Sequence, residues 1–316
     1  MDDKDQVKEV MVSVICLTYN HESYIRQCLD GFVMQKTDFA FEAIVHDDAS
    51  TDHTAEIIRE YEEKYPNIIK PIYQDENQFS KNSPFLETYV LPKLKGKYIA
   101  LCEGDDYWTD PLKLQKQVEI LDSNPNCTLC YHACKNIYED GFVGLSRDFG
   151  TDVKNSYSFK DIVYRYSFQT ATVMFRKELI FTDLLRGLFS VGFSFGDNLL
   201  YMAAAHYGDV IGLTEEMSVY RRVNNGLSVA IHKGETMVKD TRAYINTLKL
   251  FGRDEKKCIY LGKIRPNMFK ILMDDSISFV TYISLVCSLF MKMPYYGLYI
   301  AASHLKFKVL SVFRKE

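Results

Sequence analysis

Little in this chain points to a polyanionic partner or a fibrous role. Its 316 residues carry 38 Lys and Arg against 42 Asp and Glu, a net of only −4. So small a balance argues against a general nucleic-acid binder, which needs a basic surface. No uncharged run reaches the roughly 20 apolar residues of a bilayer-spanning helix. There is no internal repeat and no low-complexity segment, so neither a solenoid nor a long disordered linker is expected. The first ten residues, MDDKDQVKEV, are charged and polar and lack the apolar core of an export signal. The eight cysteines are therefore expected as reduced thiols in a cytosolic setting.

The rest of the composition, 47% hydrophobic and 25% charged, is that of a folded globular protein. The small net charge hides an asymmetry. Residues 256–316 hold ten Lys and Arg against three Asp and Glu, a net of +7, which leaves −11 for the remainder of a chain that totals −4. An acidic body with a basic, apolar tail suggests a tail that meets an anionic surface.

Apolar, β-branched runs alternate with amphipathic ones. Strands are predicted at 11–17, 41–45, 68–73 and 98–102, and helices at 22–34, 54–65 and 111–121, with another helix opening at Ser83-Pro84. This alternation predicts an α/β fold with a mostly parallel sheet covered on both faces. Beyond about 127 the pattern is mixed. Strands are predicted at 128–132, 170–175 and 219–222, and helices at 158–166 and 198–207. Ligands in open parallel sheets bind beyond the carboxyl ends of the strands. The polar clusters fall there: Thr18-Tyr19-Asn20, Asp47-Asp48, and Glu103 to Asp106.

The last cluster is the most informative. Glu103-Gly104-Asp105-Asp106 puts three carboxylates within four residues at the end of a buried strand. Crowded carboxylates raise one another's pKa unless a cation holds them together. A hard divalent cation with oxygen ligands relieves this, and such ions commonly carry substrate phosphates. A solvated acidic turn is the plain alternative. Cys127, Cys130, His132 and Cys134 invite a zinc reading. Their strand context sends neighbours to opposite faces, so buried, apolar cysteines are expected instead.

The tail holds two uncharged stretches, 276–291 and 293–303, followed by Lys306, Lys308, Arg314 and Lys315. Each is short for a bilayer span, so an interfacial helical hairpin on an anionic membrane is expected. Packing against the body or a second copy is the alternative.

The strand endings LTYN, HDDASTD and EGDDYW stand in order at fitting separations. Together they resemble the family 2 glycosyltransferases of the GT-A fold, the inverting sugar transferases of polysaccharide synthesis. The similarity covers about residues 10–225. It implies a GT-A catalytic domain over 1–235 and a helical C-terminal region over 236–316.

The resemblance also implies roles. Thr18, Tyr19, Asn20, Asp47 and Asp48 would line the nucleotide, with Tyr19 against the uracil ring and Asp48 accepting from the base; taken alone, Tyr19 reads as a core tyrosine. Asp105 and Asp106 would form the DxD-type motif and hold Mg²⁺ or Mn²⁺ across the diphosphate, with Glu103 where an Asp is usual. Asp197, in FGDN, matches the general base, although position alone suits a helix cap. Arg221 or Arg222 would grip the diphosphate. The implied partners are a nucleotide-sugar donor, expected as a UDP-sugar, a glycan or lipid-linked acceptor and the inner face of the cell membrane, with no nucleic acid. Acceptor and donor selectivity is expected in the loops at 75–90 and 140–160. A sugar-phosphate nucleotidyltransferase would need a Gly-rich basic loop after the first strand; here that loop is Thr18-Tyr19-Asn20-His21-Glu22. An inactive sugar-nucleotide-binding protein would have little use for acids at Asp48, Asp105, Asp106 and Asp197.

Overall fold

The computed structural model describes residues 9–81, 83–140, 154–164, 168–189, 196–223, 234–274 and 276–312. Arg314, Lys315, the turn at 224–226 and most of the 140–160 segment lie outside the described residues. The chain divides into two compact units. One comprises Met1–Ser158, Ser167–Leu179 and Ala204–Asn224; the other comprises Phe159–Tyr166, Ile180–Ala203 and Asn225–Glu316.

The first unit is built on an eight-stranded sheet. Its strands are β1 (Val10–Thr18), β2 (Ala40–Asp47), β3 (Ile69–Tyr73), β4 (Tyr98–Leu101), β5 (Tyr107–Trp108), β6 (Cys127–Tyr138), β7 (Met174–Arg176) and β8 (Asp209–Arg222), in the order β3-β2-β1-β4-β7-β6-β8-β5. The β3-β2-β1-β4 half is parallel. Strand β7 runs antiparallel to both β4 and β6, and β5 antiparallel to β8. This is the α/β architecture read from the sequence. Strand β1 sits where the order reverses between β2 and β4, the place at which such sheets bind ligands.

The parallel strands are apolar because both faces are covered. Val12, Val14 and Cys16 of β1 and Ala43 and Val45 of β2 join one core with Ile25, Cys28, Leu29 and Phe32 of helix α1 (Ile25–Val33). Ile58 and Tyr61 of α2 (Thr54–Lys64) complete it. Helix α1 begins three residues later than the pattern predicts, because Tyr24 and Ile25 first close a turn on the His21 carbonyl. The helix expected after Pro84 is only a π-turn at Leu86–Val90 and a 3₁₀ turn at Leu91–Lys93. Pro92 lies inside that stretch and cannot donate to a continuing α-helix. Residues 170–172 form a 3₁₀ turn, so the strand predicted at 170–175 shrinks to β7. Strand β8 starts ten residues before the predicted one. Cys127, Cys130, His132 and Cys134 are all buried, on a strand with both faces covered.

Trp108 anchors the end of the acidic segment. Its ring is buried 4.8 Å from Phe32, and its Nε1–H donates to the Ala171 carbonyl at 2.9 Å. Lys113, in the first turn of α3 (Lys113–Ser123), is fully buried with its Nζ 3.9 Å from the Trp108 ring centre. The amine donates to Gln117 Oε1 at 2.8 Å. Burial lowers its pKa to about 7. The ring face favours the ammonium and offsets part of that cost, by about 2 kcal/mol for a desolvated pair.

An unfolded lysine titrates near 10.4, so above about 7 the unfolded chain binds more protons than the folded one. Stability should therefore rise with pH across that window and be lost as pH falls back toward 7. The slope is at most about 1.4 kcal/mol per pH unit. Urea melts of the parent and Lys113→Met at pH 7 and pH 9 test this. The parent should gain on the variant at pH 9; equal gaps at both would refute the assignment.

The second unit is helical in its described residues. It contains α4 (Phe159–Tyr164), α5 (Asp183–Phe189) and the start of α6 (Gly196–Tyr207), then α7 (Gly234–Thr247) and α8 (Arg253–Ile259). A π-turn at Tyr260–Ile264 joins α8 to α9 (Arg265–Met273), and α10 (Phe279–Lys292) and α11 (Pro294–Val312) follow. The two uncharged stretches thus form helices, and α10 is capped by Ser278, whose Oγ accepts the Thr281 N–H at 3.2 Å. Among the described residues no helix is long and apolar enough to cross a membrane.

Candidate active site

Three polar loops meet at the carboxyl end of β1. The Leu17 carbonyl accepts the Gly104 N–H at 2.9 Å, and the Thr18 carbonyl accepts the Asp48 N–H at 3.0 Å. Adjacent carbonyls of one strand therefore hold the loop after β4 and the loop after β2. Gly104 permits the closeness. A Cβ there would stand 2.6 Å from Thr18 Oγ1 and 2.9 Å from His21 Nδ1. Those two polar atoms are buried and have no hydrogen-bond partner among the described residues.

The first two loops are laced together. Asn20 adopts a left-handed backbone, φ 55°, which its short polar side chain tolerates. Its N–H donates to Ser50 Oγ at 2.9 Å, and its Oδ1 accepts the Thr51 N–H at 2.8 Å. The His21 N–H donates to Thr54 Oγ1 at 2.8 Å. Glu22 and Asp52 extend the lacing: Asp52 accepts the Glu22 N–H, and Glu22 accepts the His53 N–H, both at 3.0 Å. Tyr19 stands on this wall with 43% of its surface exposed.

The two acids at the end of β2, Asp47 and Asp48, point to different work. Asp47 is buried and accepts the Ser50 hydroxyl; burial pushes its pKa up. Asp48 is also buried, and its carboxylate accepts the Gln78 N–H at 2.7 Å and the Phe79 N–H at 3.0 Å. It thereby fixes the loop after β3, a role the sequence did not disclose. A carboxylate has about four lone-pair sites, so acceptor capacity remains.

Asp105 and Asp106 face Arg221 at the end of β8. The register Tyr107↔Val219 brings them there. Asp106 Oδ1 accepts the Arg221 N–H at 2.8 Å. The Arg221 guanidinium donates to the Asp105 carbonyl and, at 2.6 Å, to Gln27 Oε1. It lies 4.8 Å from the Tyr24 ring centre and 5.0 Å from that of Tyr107. Tyr24 in turn donates to Glu139 at 3.0 Å. Arg221 thus clamps the acidic turn through its backbone. Arg222, its neighbour on the strand, is buried and reaches the Tyr220 hydroxyl at 3.4 Å. Gln27, Tyr24 and Glu139 were not apparent from the sequence, because Tyr24 lies 115 residues from Glu139 and Gln27 lies 194 residues from Arg221, and none carries a local motif.

Asp106 is 2% exposed. Burial raises its pKa well above the usual carboxylate range, with Asp105 and Glu103 adding to the rise and Arg221 opposing it. Such a group of acids fits a divalent cation, whose charge would offset this cost. Among the described residues no three His, Cys, Asp or Glu side chains are already gathered into a cage. Mg²⁺ and Mn²⁺ do not require one, since one or two carboxylates with substrate phosphates and water suffice.

Asp197 belongs to the second unit. It stands in the first turn of α6, and its Oδ1 accepts the Asn198 N–H at 2.7 Å. Asp240 of α7 and Lys263 of the π-turn share its field. Burial lowers the Lys263 pKa, while Asp197 and Asp240 pull it up. Tyr244 is raised by burial and then by the same two acids. Lys263 and Asp240 were invisible in the sequence for want of a motif; a π-turn, often found at functional sites, marks Lys263 only once the fold is known.

The description of Glycosyl transferase family 2 matches residues 13–185. The chain belongs to that family. An uncharacterised protein of Mycobacterium tuberculosis, Rv1520, is 38% identical over 240 residues, which cover 74% of this chain and 65% of the relative. The chain thus matches just under two thirds of that relative's length. TuaG of Bacillus subtilis, whose name assigns it provisionally as a teichuronic acid biosynthesis glycosyltransferase, is 30% identical over 131 residues, 42% of this chain and 49% of TuaG. Among solved structures, S. aureus TarS 1-349 in complex with UDP-GlcNAc superposes with a TM-score of 0.65 at 17% identity, covering 91% of this chain and 83% of TarS. The fold of this family 2 chain is therefore the GT-A fold implied by its strand-end motifs.

Proposed function

We propose that the protein is a metal-dependent, inverting glycosyltransferase. It moves a sugar from a nucleotide-sugar, UDP-linked, to a hydroxyl of a glycan or lipid-linked acceptor in cell-surface polysaccharide synthesis. The observation that carries this reading is the meeting of the Thr18–Asn20, Asp47–Asp48 and Glu103–Asp106 loops at the end of β1, with buried Asp106 against Arg221. The bound UDP-GlcNAc of TarS supports the choice of UDP, and the name of TuaG supports a polysaccharide product.

In this reading Tyr19 offers its exposed ring to the base, and Thr18, Asn20, Asp47 and Asp48 form the nucleoside wall. A Mg²⁺ or Mn²⁺ ion held by Asp105 and Asp106 would offset charge on the departing diphosphate. Arg221 keeps the acidic turn in place, and Arg222 supplies further positive charge nearby. The acceptor oxygen attacks the anomeric carbon from the face opposite the diphosphate. The new C–O bond forms as the bond between the anomeric carbon and the diphosphate oxygen breaks, and the hydroxyl proton passes to the Asp197 carboxylate. The catalytic region spans 1–235, and the helical region 236–316 holds the enzyme peripherally at the cytoplasmic face of the membrane.

The test is nucleoside diphosphate release with Mn²⁺ across UDP-, GDP- and TDP-sugars. At least one UDP-sugar should turn over roughly a hundredfold faster than the rest, as expected where buried polar groups read the base. No release from any donor overturns the proposal, and pyrophosphate release from a nucleoside triphosphate and a sugar phosphate replaces it with nucleotidyl transfer.

A further inference from the structure

The turn between α10 and α11 carries a feature that the transfer reaction does not use. A cleft of about 720 Å³ opens there between residues 251–257 and 292–296. Arg253, Lys256, Lys257 and Lys292 line it, against a single acid, Asp254. Among the described residues none of the four cations is in an ion pair. Tyr295 also lines the cleft and is 75% exposed, and Met291, one residue before Lys292, is 74% exposed. Val280, Ile283 and Leu298 continue the exposed apolar surface along both helices.

The hairpin that presents this surface is tightly built. Gly297 packs so closely that a Cβ would stand 2.6 Å from Phe290 Cα. The Tyr296 ring lies 4.2 Å from that of Tyr260 of the π-turn, tilted by 42°. Tyr282, Leu285, Val286 and Leu289 form the buried side of α10, so its outward apolar residues are surplus to the fold. Basic side chains beside protruding apolar ones match an interface with two layers: phosphate outside and hydrocarbon beneath.

We propose that this cleft binds the phosphate of anionic lipid headgroups and seats the hairpin on the bilayer, with Met291 and Tyr295 entering the acyl boundary. The inference deepens the peripheral-membrane part of the proposed function and gives it an address. It does not depend on the donor site, so vesicle binding and nucleotide-sugar turnover can fail separately.

Flotation of the full chain tests it, with vesicles of phosphatidylcholine alone or with 30% phosphatidylglycerol, a fraction chosen as about a third. The chain should float with the anionic vesicles and not with the neutral ones. Each basic residue near such a surface contributes about a fivefold gain, so Lys256→Ala, Lys257→Ala and Lys292→Ala together should weaken binding by roughly a hundredfold. Met291→Ser with Tyr295→Ser should weaken it independently at unchanged charge. Circular dichroism checks that both variants fold, and about 0.5 M salt should release the parent. Equal flotation of parent and both folded variants, or equal binding to neutral vesicles, overturns the proposal. So does equally tight binding of soluble glycerol phosphate without vesicles, or a vesicle-free dimer that the Met291 and Tyr295 changes dissolve.

Discussion

Asp197→Asn should lower sugar transfer by about a thousandfold while leaving the affinity for UDP nearly unchanged. A positioned general base is worth roughly 10²- to 10⁴-fold, and an amide cannot take the acceptor proton. Asn is close to Asp in shape, and its amide oxygen can still accept the Asn198 N–H that Asp197 accepts now. The start of α6 should therefore survive. Two measurements separate the roles: turnover with saturating donor and acceptor, and calorimetry with UDP and Mn²⁺. Unchanged turnover would remove Asp197 from the chemistry. Loss of UDP binding together with turnover would make it structural. Lys263 and Asp240 lie in the same electrostatic field, so the residual rate of the variant should be followed against pH.

Asp106→Asn should separate stability from activity. In the absence of metal the native carboxylate is buried among Asp105 and Glu103, which raise its pKa together with burial. The amide removes that repulsion and can still accept the Arg221 N–H, so the apo variant should be at least as stable as the parent. It should also lose most of the affinity for Mn²⁺ and more than about a hundredfold in turnover, the usual exchange between a strained site and its function. Chelation of the parent with EDTA should reproduce the loss, and added Mn²⁺ should restore the parent but not the variant. A variant that is less stable yet fully active would show that Asp106 braces the loop and does not bind metal.

The half of the fold around β1 was legible because parallel strands covered on both faces read as apolar runs. The lengths of β6 and β8 were not. Thr214, Glu215 and Glu216 are exposed in the middle of β8, and their polarity disguises a strand that continues on both sides. The positions of the acids at strand ends were readable, since the sheet topology alone puts loops after β1, β2 and β4 side by side. The allocation of their oxygens was not. Asp48 holds Gln78 and Phe79, 30 and 31 residues away, through backbone N–H groups that have no sequence signature. The resemblance implies Arg221 or Arg222 as a phosphate ligand, whereas the contacts that position Arg221 come from Gln27, Tyr24 and Tyr107. Pro92 shows the same limit on a smaller scale, for the helix signal at Pro84 was genuine and the breaker eight residues later overrode it.

The paired carbonyls of Leu17 and Thr18 have a metrical consequence. One holds the turn bearing Asp105 and Asp106, the other the segment that begins with Asp48. The span between those two segments is therefore set by main-chain geometry, where neighbouring peptide units cannot stretch. A nucleoside diphosphate would meet a gauge of fixed length, and discrimination between donors would fall to whatever side chains border the far end of that gauge.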